Sequence, residues 1–332
     1  LPVPLAGFYG YSSQWQNAGT LEAEALELSV NGYVLNTRDM SLSLGFNYDT
    51  YDQQLTSFNM PAYLTSSGSG QTVFYMKNNT QYASFWGTKW ATGAAHLPEA
   101  DRASISQFAT NSDGYLVWVG DGNKVTEGIS KTLWGRTSTG LSQTYNWGRP
   151  IQFVDSDGNS LHQIGTSVPD FGYSFNANFR FQGLSVYAMF DGQSGGNIYN
   201  HTRQWGAREA ATGDVDQYGK SEAEMKPTIY YRDLYHVNAA NDYYVEDASY
   251  MKLRELSVKY NVSSLVDLRS VGINGLQVGI VGRNLITWTD YQGYDPEVGY
   301  GGGTLGSAVN ARVDSYGYPN YRTFSFTLDV DF

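Results

Sequence analysis

The amino-acid sequence predicts an all-β fold, a portion of an antiparallel transmembrane β-barrel with long extracellular loops. Three features support this prediction: segments in which apolar and polar residues alternate, connections that are short and long in turn, and the composition. Of the 332 residues, 16% are charged, whereas ordinary soluble domains have about 25%. Aromatic residues make up 15%, and 37 residues are glycine. Because alternate residues of a barrel strand face the lumen, such strands are only half apolar.

The first two strands form a predicted hairpin. Residues 26–34 (LELSVNGYV) and 40–50 (MSLSLGFNYDT) place an apolar side chain at nearly every second position, and the polar residues 36–39 supply a tight turn. Period-two alternation is typical of a strand with one apolar and one polar face.

A second hairpin follows at residues 171–181 and 184–190, joined by the two-residue turn 182–183. Its first strand alternates phenylalanine with small or polar residues. We therefore expect Phe179 to face lipid and Asn178 to face the lumen.

Three further strands are predicted at residues 249–262, 274–288 and 321–332. In the first of these, the alternation holds only from Leu256 onward, because Lys252 and Arg254 occupy positions of the apolar parity. A β-bulge near these two residues, or emergence of the strand above the membrane, would explain the break.

The connections between the seven strands alternate in length. The shorter ones are residues 36–39, 182–183 and 263–273, and the long ones are 51–170, 191–248 and 289–320. Outer-membrane barrels have short periplasmic turns and long extracellular loops, so this alternation favours a barrel. Seven strands leave unpaired edges, which lipid does not tolerate, so we interpret residues 1–332 as part of a larger barrel.

Several classes of function are disfavoured. The net charge of −11, from 21 Lys and Arg against 32 Asp and Glu, argues against nucleic-acid binding. Without cysteine, disulfides and thiolate chemistry are excluded. The G-x-S-x-G match at 192–196 is not followed by a helical pattern, and the four histidines show no metal-ligand spacing. We therefore predict that the protein is not an enzyme and has no catalytic residues.

Aromatic residues outside the strands are candidate contacts for a ligand or a partner protein. They could stack on sugar rings or form a protein interface, or they could instead fill the cores of long loops. The candidates are Trp86, Trp90, Trp118, Trp147, Trp205 and Tyr294.

The segment 155–159 (DSDGN) is the one candidate metal site. Asp155, Asp157 and Asn159 alternate as in the opening of a calcium loop, but the bidentate Glu that closes such a loop is missing. An Asx turn is the alternative interpretation. No other cofactor is predicted.

Four sequence blocks together resemble the C-terminal region of the SusC/RagA-type TonB-linked (TonB-dependent) outer-membrane proteins of Bacteroidota and related Gram-negative phyla. The blocks occur in the family's order and cover about 150–332, with looser matches before them. They are residues 164–171 (IGTSVPDF) with 190–200, residues 244–256 (YVEDASYMKLREL), residues 282–298 (GRNLITWTDYQGYDPEV), and residues 318–324 (YPNYRTF) with the terminal Phe332.

The resemblance implies a plugged barrel of about 22 strands. Such a barrel imports a large nutrient, a glycan or a peptide, across the outer membrane of a Gram-negative bacterium. It implies as partners a lid lipoprotein of the SusD type, the TonB system, the remaining barrel strands and the plug, and outer-membrane lipid. It also implies that Phe332 is part of the assembly signal. The plug and the earlier strands are absent from this sequence.

Two other interpretations remain open at this stage. The chain could be a structural barrel piece that serves as a scaffold in a surface assembly or filament. It could also be a soluble β-sandwich that acts as a binding module, although the alternating connection lengths argue against a sandwich.

Overall fold

The computed structural model describes residues 2–66, 72–121, 135–221, 224–236, 239–298 and 312–332. Its largest element is an antiparallel sheet, here called the wall, in which seven long strands pair in the order of the sequence. The wall strands are β1 (Gly19–Asn36), β2 (Met40–Phe58), β3 (Phe171–Phe181), β4 (Leu184–Ser194), β5 (Tyr250–Asn261), β6 (Gly275–Thr289) and β7 (Thr323–Asp331).

The register of the wall separates apolar from polar side chains. One row across β2 to β7 consists of Leu42, Phe179, Val186, Val258, Ile280 and Phe326. The neighbouring row consists of Ser43, Asn178, Tyr187, Ser257, Val281 and Ser325. Paired residues of antiparallel strands lie on the same face, so the wall has a continuous apolar face and a mostly polar one. Phe179 and Asn178 lie on opposite faces, as predicted.

The expected bulge is present in β5. Leu253 pairs with Phe190 and Glu255 pairs with Met189, so Arg254 is the extra residue, and the pairing with β6 shifts at the same place. Without the bulge, Arg254 would share the face of Leu256. The added residue reverses the parity and moves Lys252 and Arg254 onto the polar face.

The long connections differ from the predicted loops. β2 and β4 extend to Phe58 and Ser194, beyond the predicted strand ends at 50 and 190. The described residues of the remaining connections, 59–170, 195–249 and 290–322, lie at one end of the wall, and we call them the cap. The cap is folded, because its short strands and helices pack their aromatic residues together.

The cap contains two small sheets and two helices. A four-stranded sheet is formed by Tyr63–Ser66, Thr72–Met76, Ser84–Gly87 and His162–Thr166, and a three-stranded sheet by Asn197–Asn200, Val245–Asp247 and Val313–Asp314. The helices are α1 (His201–Arg208) and α2 (Thr228–Leu234), and Glu99–Gln107 is a 3₁₀ helix. Shorter strand pairs are Pro2–Pro4 with Ser13–Trp15 and Phe108–Thr110 with Leu116–Trp118, and Thr80–Gln81 pairs with β2. Among the described residues, no helix is long and apolar enough to cross a membrane.

The main hydrophobic core lies in the cap and at the adjoining end of β2, and it includes Val3 and Ala18 from the segment before β1. Residues from all three connections meet there, and its most buried members include Phe74, Phe85, Tyr199, Tyr230 and Leu234. Burying these side chains removes apolar surface from water, which stabilises the folded connections. The cap is therefore a packed layer that covers one end of the wall.

Candidate functional site

A network of charged side chains lies where the polar face of the wall meets the cap. The Nζ atom of Lys252 is 2.5 Å from Oδ1 of Asp295 and 2.6 Å from Oε2 of Glu297. The Arg254 guanidinium forms ion pairs with Asp191 and Glu297. We call these five residues the ion network. Its lysine side chain is 1% exposed, and that of Asp295 is 6% exposed.

Glu297 is the residue of the ion network that pairs with both cations, Lys252 and Arg254. Its carboxylate also accepts hydrogen bonds from the Tyr250 hydroxyl (3.0 Å) and the Asn320 side chain (2.8 Å). Burial alone would raise the pKa of Glu297, but the hydrogen bonds and charges of Arg254 and Lys252 outweigh it and lower the pKa to about 2. The ion network therefore holds the segment that contains Asp295 and Glu297, which follows β6, against strand β5 of the wall.

This network is not evident in the sequence. The only local signal is the break in alternation at Lys252 and Arg254, which predicts a bulge or emergence above the membrane and no ion pairs. Asp295 and Glu297 are more than 40 residues away in the chain, and nothing local indicates that they are partners.

A pocket of about 580 Å³ in the cap brings together candidates from distant parts of the sequence. Trp86 and Tyr75 form one side, with ring centroids 5.2 Å apart. Asp155 and Asn159 line the same pocket, together with His162. The structure thus places the predicted contact residue Trp86 beside the predicted metal-binding segment.

A second cavity, of about 620 Å³, is lined by Trp90 and by the paired side chains of Arg149 and Asp233. Trp90 is only 8% exposed, and its indole nitrogen donates to Oδ1 of Asn241. It therefore has little ring surface available to a ligand in this cavity.

The other aromatic candidates are scattered. Trp118 and Trp147 are 7% and 6% exposed and belong to a second core cluster of the cap, which leaves little ring surface for a ligand. Trp205 is partly buried and lies beneath the Arg208 guanidinium. Tyr294 is 84% exposed. Trp134, which also lies outside the predicted strands, is not among the described residues.

The segment 155–159 has the geometry of an Asx turn. Oδ1 of Asp155 accepts hydrogen bonds from the backbone nitrogens of Asp157 (3.0 Å) and Asn159 (2.8 Å), and the Asn159 side chain donates to the same carboxylate. Two of the three predicted ligands thus bond each other, so this donor set does not fit a calcium ion as arranged. Among the described residues, no three His, Asp or Glu side chains are grouped as a metal site. Calcium binding here stays a prediction.

Phe332 follows directly after β7 and is 88% exposed. This position is open to a second protein. Its part in assembly stays a prediction, because nothing in the geometry tests it.

No family model matches the chain, but curated proteins are similar to it over its whole length. TonB-dependent receptor P3 of Formosa agariphila is 28% identical over 340 residues, covering 100% of this chain and 31% of the relative. TonB-dependent receptor P39 of the same organism is 22% identical over 359 residues, covering 99% of this chain and 32% of the relative. The chain thus spans about a third of the length of these relatives.

Solved structures share the fold. The RagAB peptide transporter superposes with a TM-score of 0.60 at 18% identity, covering 99% of this chain and 31% of the matched one. The RagAB peptide importer in its open-open state gives a TM-score of 0.57 at 19% identity, covering 100% of this chain and 31% of the matched one. At this identity the match concerns the fold alone.

Proposed function

Because the chain is a relative of the TonB-dependent receptors and shares the fold of a solved transporter, we propose that it forms the C-terminal part of the wall of an outer-membrane importer. The observation that carries the proposal is the two-faced wall, apolar on one side and polar on the other across β2 to β7. The apolar face meets lipid and the polar face lines the passage for a large nutrient, a glycan or a peptide.

The proposal requires further strands of the same protein. Among the described wall strands, β1 and β7 each have a neighbour on one side only. Backbone groups left unpaired in lipid cost several kcal/mol each, so additional strands pair with both edges and close the barrel. The plug and the segment that contacts the TonB system belong to those other parts of the protein.

The cap faces the outside of the cell and contacts a lid lipoprotein of the SusD type. Tyr294, Tyr218 and Tyr318 support this, because they are 84%, 95% and 88% exposed on connections of the cap. Tyrosine is enriched at protein interfaces. The role of the chain is binding and conduction, without catalysis.

Cysteine labelling tests the facing of the wall. These 332 residues contain no cysteine, so one cysteine can be introduced at Asn178 or at the adjacent Phe179 in the full-length protein. A membrane-impermeant maleimide added to outer-membrane vesicles should label Asn178→Cys through the aqueous lumen. Phe179→Cys should remain unlabelled until detergent removes the lipid. Equal labelling of both variants in the vesicles would contradict the proposal.

A further inference from the structure

The pocket beside Trp86 results from an unusual sheet face. In the four-stranded sheet of the cap, Phe74 and Phe85 are paired and are 1% and 0% exposed, because they point into the core. Their neighbours Tyr75 and Trp86 must point the other way, since successive side chains of a strand alternate. An outward face normally carries polar residues, whereas this one carries two adjacent aromatic rings.

The rim of the pocket supplies hydrogen-bonding groups that the protein does not use. Among the described residues, the side chains of Lys77, Ser160 and Gln163 form no hydrogen bond, although all three line the pocket. These three side chains are exposed at the rim, so they can form hydrogen bonds to a ligand in the pocket.

The charged side chains around the pocket are one of each sign. Of the described side chains that line the pocket, Lys77 is the one cation and Asp155 the one carboxylate. The Asx turn holds Asp155 in place while its Oδ2 atom accepts only from Asn159, so that oxygen can accept further bonds. The rim therefore favours a neutral ligand that is rich in donors and acceptors.

We propose that this pocket is a saccharide-binding subsite on the cap, separate from the polar face of the wall. The inference rests on the proposed function and names its substrate class as a neutral glycan. A pyranose ring has one apolar face of C–H groups, which packs on the Trp86 and Tyr75 rings. Its hydroxyl groups lie around the edge and bond Lys77, Asp155 and Gln163. The subsite would hold the glycan at the cell surface before it enters the barrel.

Binding of neutral oligosaccharides to the full-length complex in detergent tests the inference. Titration calorimetry with malto-, xylo-, manno- and cello-hexaose would be compared with an uncharged hexapeptide. At least one saccharide should bind, Trp86→Ala should weaken that binding at least about ten-fold, and Trp86→Tyr should retain most of it. Trp15→Ala is the matched control, because Trp15 is 71% exposed and does not line the pocket.

Three outcomes would overturn the inference: no saccharide binds, the hexapeptide binds in place of a saccharide with the same dependence on Trp86, or Trp86→Ala and Trp15→Ala bind equally. None of these affects the cysteine labelling of the wall, so failure of this subsite is distinguishable from failure of the importer proposal.

Discussion

Lys252 illustrates how a residue that violates the strand pattern can be essential to the structure. A lone ammonium group at 1% exposure would be strongly unfavourable, but here two carboxylates lie within 2.6 Å of its nitrogen. Removing one partner of a buried ion pair is far more costly than removing an exposed one, because the remaining charge stays desolvated.

Lys252→Met should therefore destabilise the contact between cap and wall by about 3–5 kcal/mol. The control is Arg283→Met, because Arg283 pairs with Glu255 at 64% exposure, and such pairs contribute about 0–1 kcal/mol. Thermal unfolding of the detergent-solubilised protein, with protease sensitivity of residues 290–298, would measure the difference. Equal effects of the two substitutions would show that the ion network does not hold this segment.

Asp242 gives the cap a pH-dependent stability. Burial raises the pKa of Asp242 to about 6, although Trp90 and Tyr115 donate hydrogen bonds to its carboxylate. A raised carboxyl pKa means that the folded state binds the proton more tightly, so stability is highest below the unfolded pKa of about 4 and falls as the pH rises through 6. Glu297 does not titrate in this range, since its pKa is about 2.

The cap should be less protected from hydrogen exchange at pH 7.5 than at pH 5, after correction for intrinsic rates, by up to about 1.4 kcal/mol. Asp242→Asn should remove this difference, because the side chain no longer titrates. If the protection of the variant still depended on pH, the dependence would arise from a titratable group other than Asp242.

At the scale of elements, the two faces of the wall strands correspond to the alternation of apolar and polar residues in their sequences. The register that aligns Phe326 with Ile280, and Ser325 with Val281, keeps each parity on its own face. A one-residue slip would exchange the faces, so burial of the apolar face in lipid, as proposed, would specify the pairing.

Phe326→Arg should impair assembly in the outer membrane, at a cost of about 2–4 kcal/mol if the residue lies near the middle of the bilayer. The neighbouring Ser325→Arg, on the polar face, should be tolerated, because its guanidinium remains in water. The amount of heat-resistant folded barrel in outer-membrane fractions would measure both. If the two variants assembled equally well, the assignment of the faces would be wrong.

At the scale of the whole molecule, the similarity to TonB-dependent receptors, which extends over all of this chain and about a third of theirs, confirms the predicted family resemblance. The fold shared with solved structures confirms the predicted all-β barrel portion. The position of the cap outside the cell stays a prediction. The up-and-down order of the wall places the long connections at one end. The prediction that this end is extracellular assumes that Phe332 ends at the periplasmic rim, from which the strands are counted backwards.

An epitope inserted beside the 95%-exposed Tyr218 should be accessible to antibody on intact cells. The same epitope inserted beside Arg38, in the turn between β1 and β2, should be accessible only after the outer membrane is permeabilised. If instead only the epitope beside Arg38 were accessible on intact cells, the cap would face the periplasm and the proposed topology would be wrong.

The sequence by itself determined that the wall strands have one apolar and one polar face and that the pattern breaks at Lys252 and Arg254, because alternation is a local property that each strand displays in its own residues. It did not determine the full lengths of β1, β2 and β4 or the fold of the cap. Trp118 is buried and Tyr294 is exposed, although both are aromatic residues in long connections.

Only the tertiary structure brought Trp86 to Asp155 and Lys252 to Glu297. These contacts depend on how chain segments tens of residues apart pack together, and a side chain's burial and charge partners are set by that packing rather than by its neighbours in sequence.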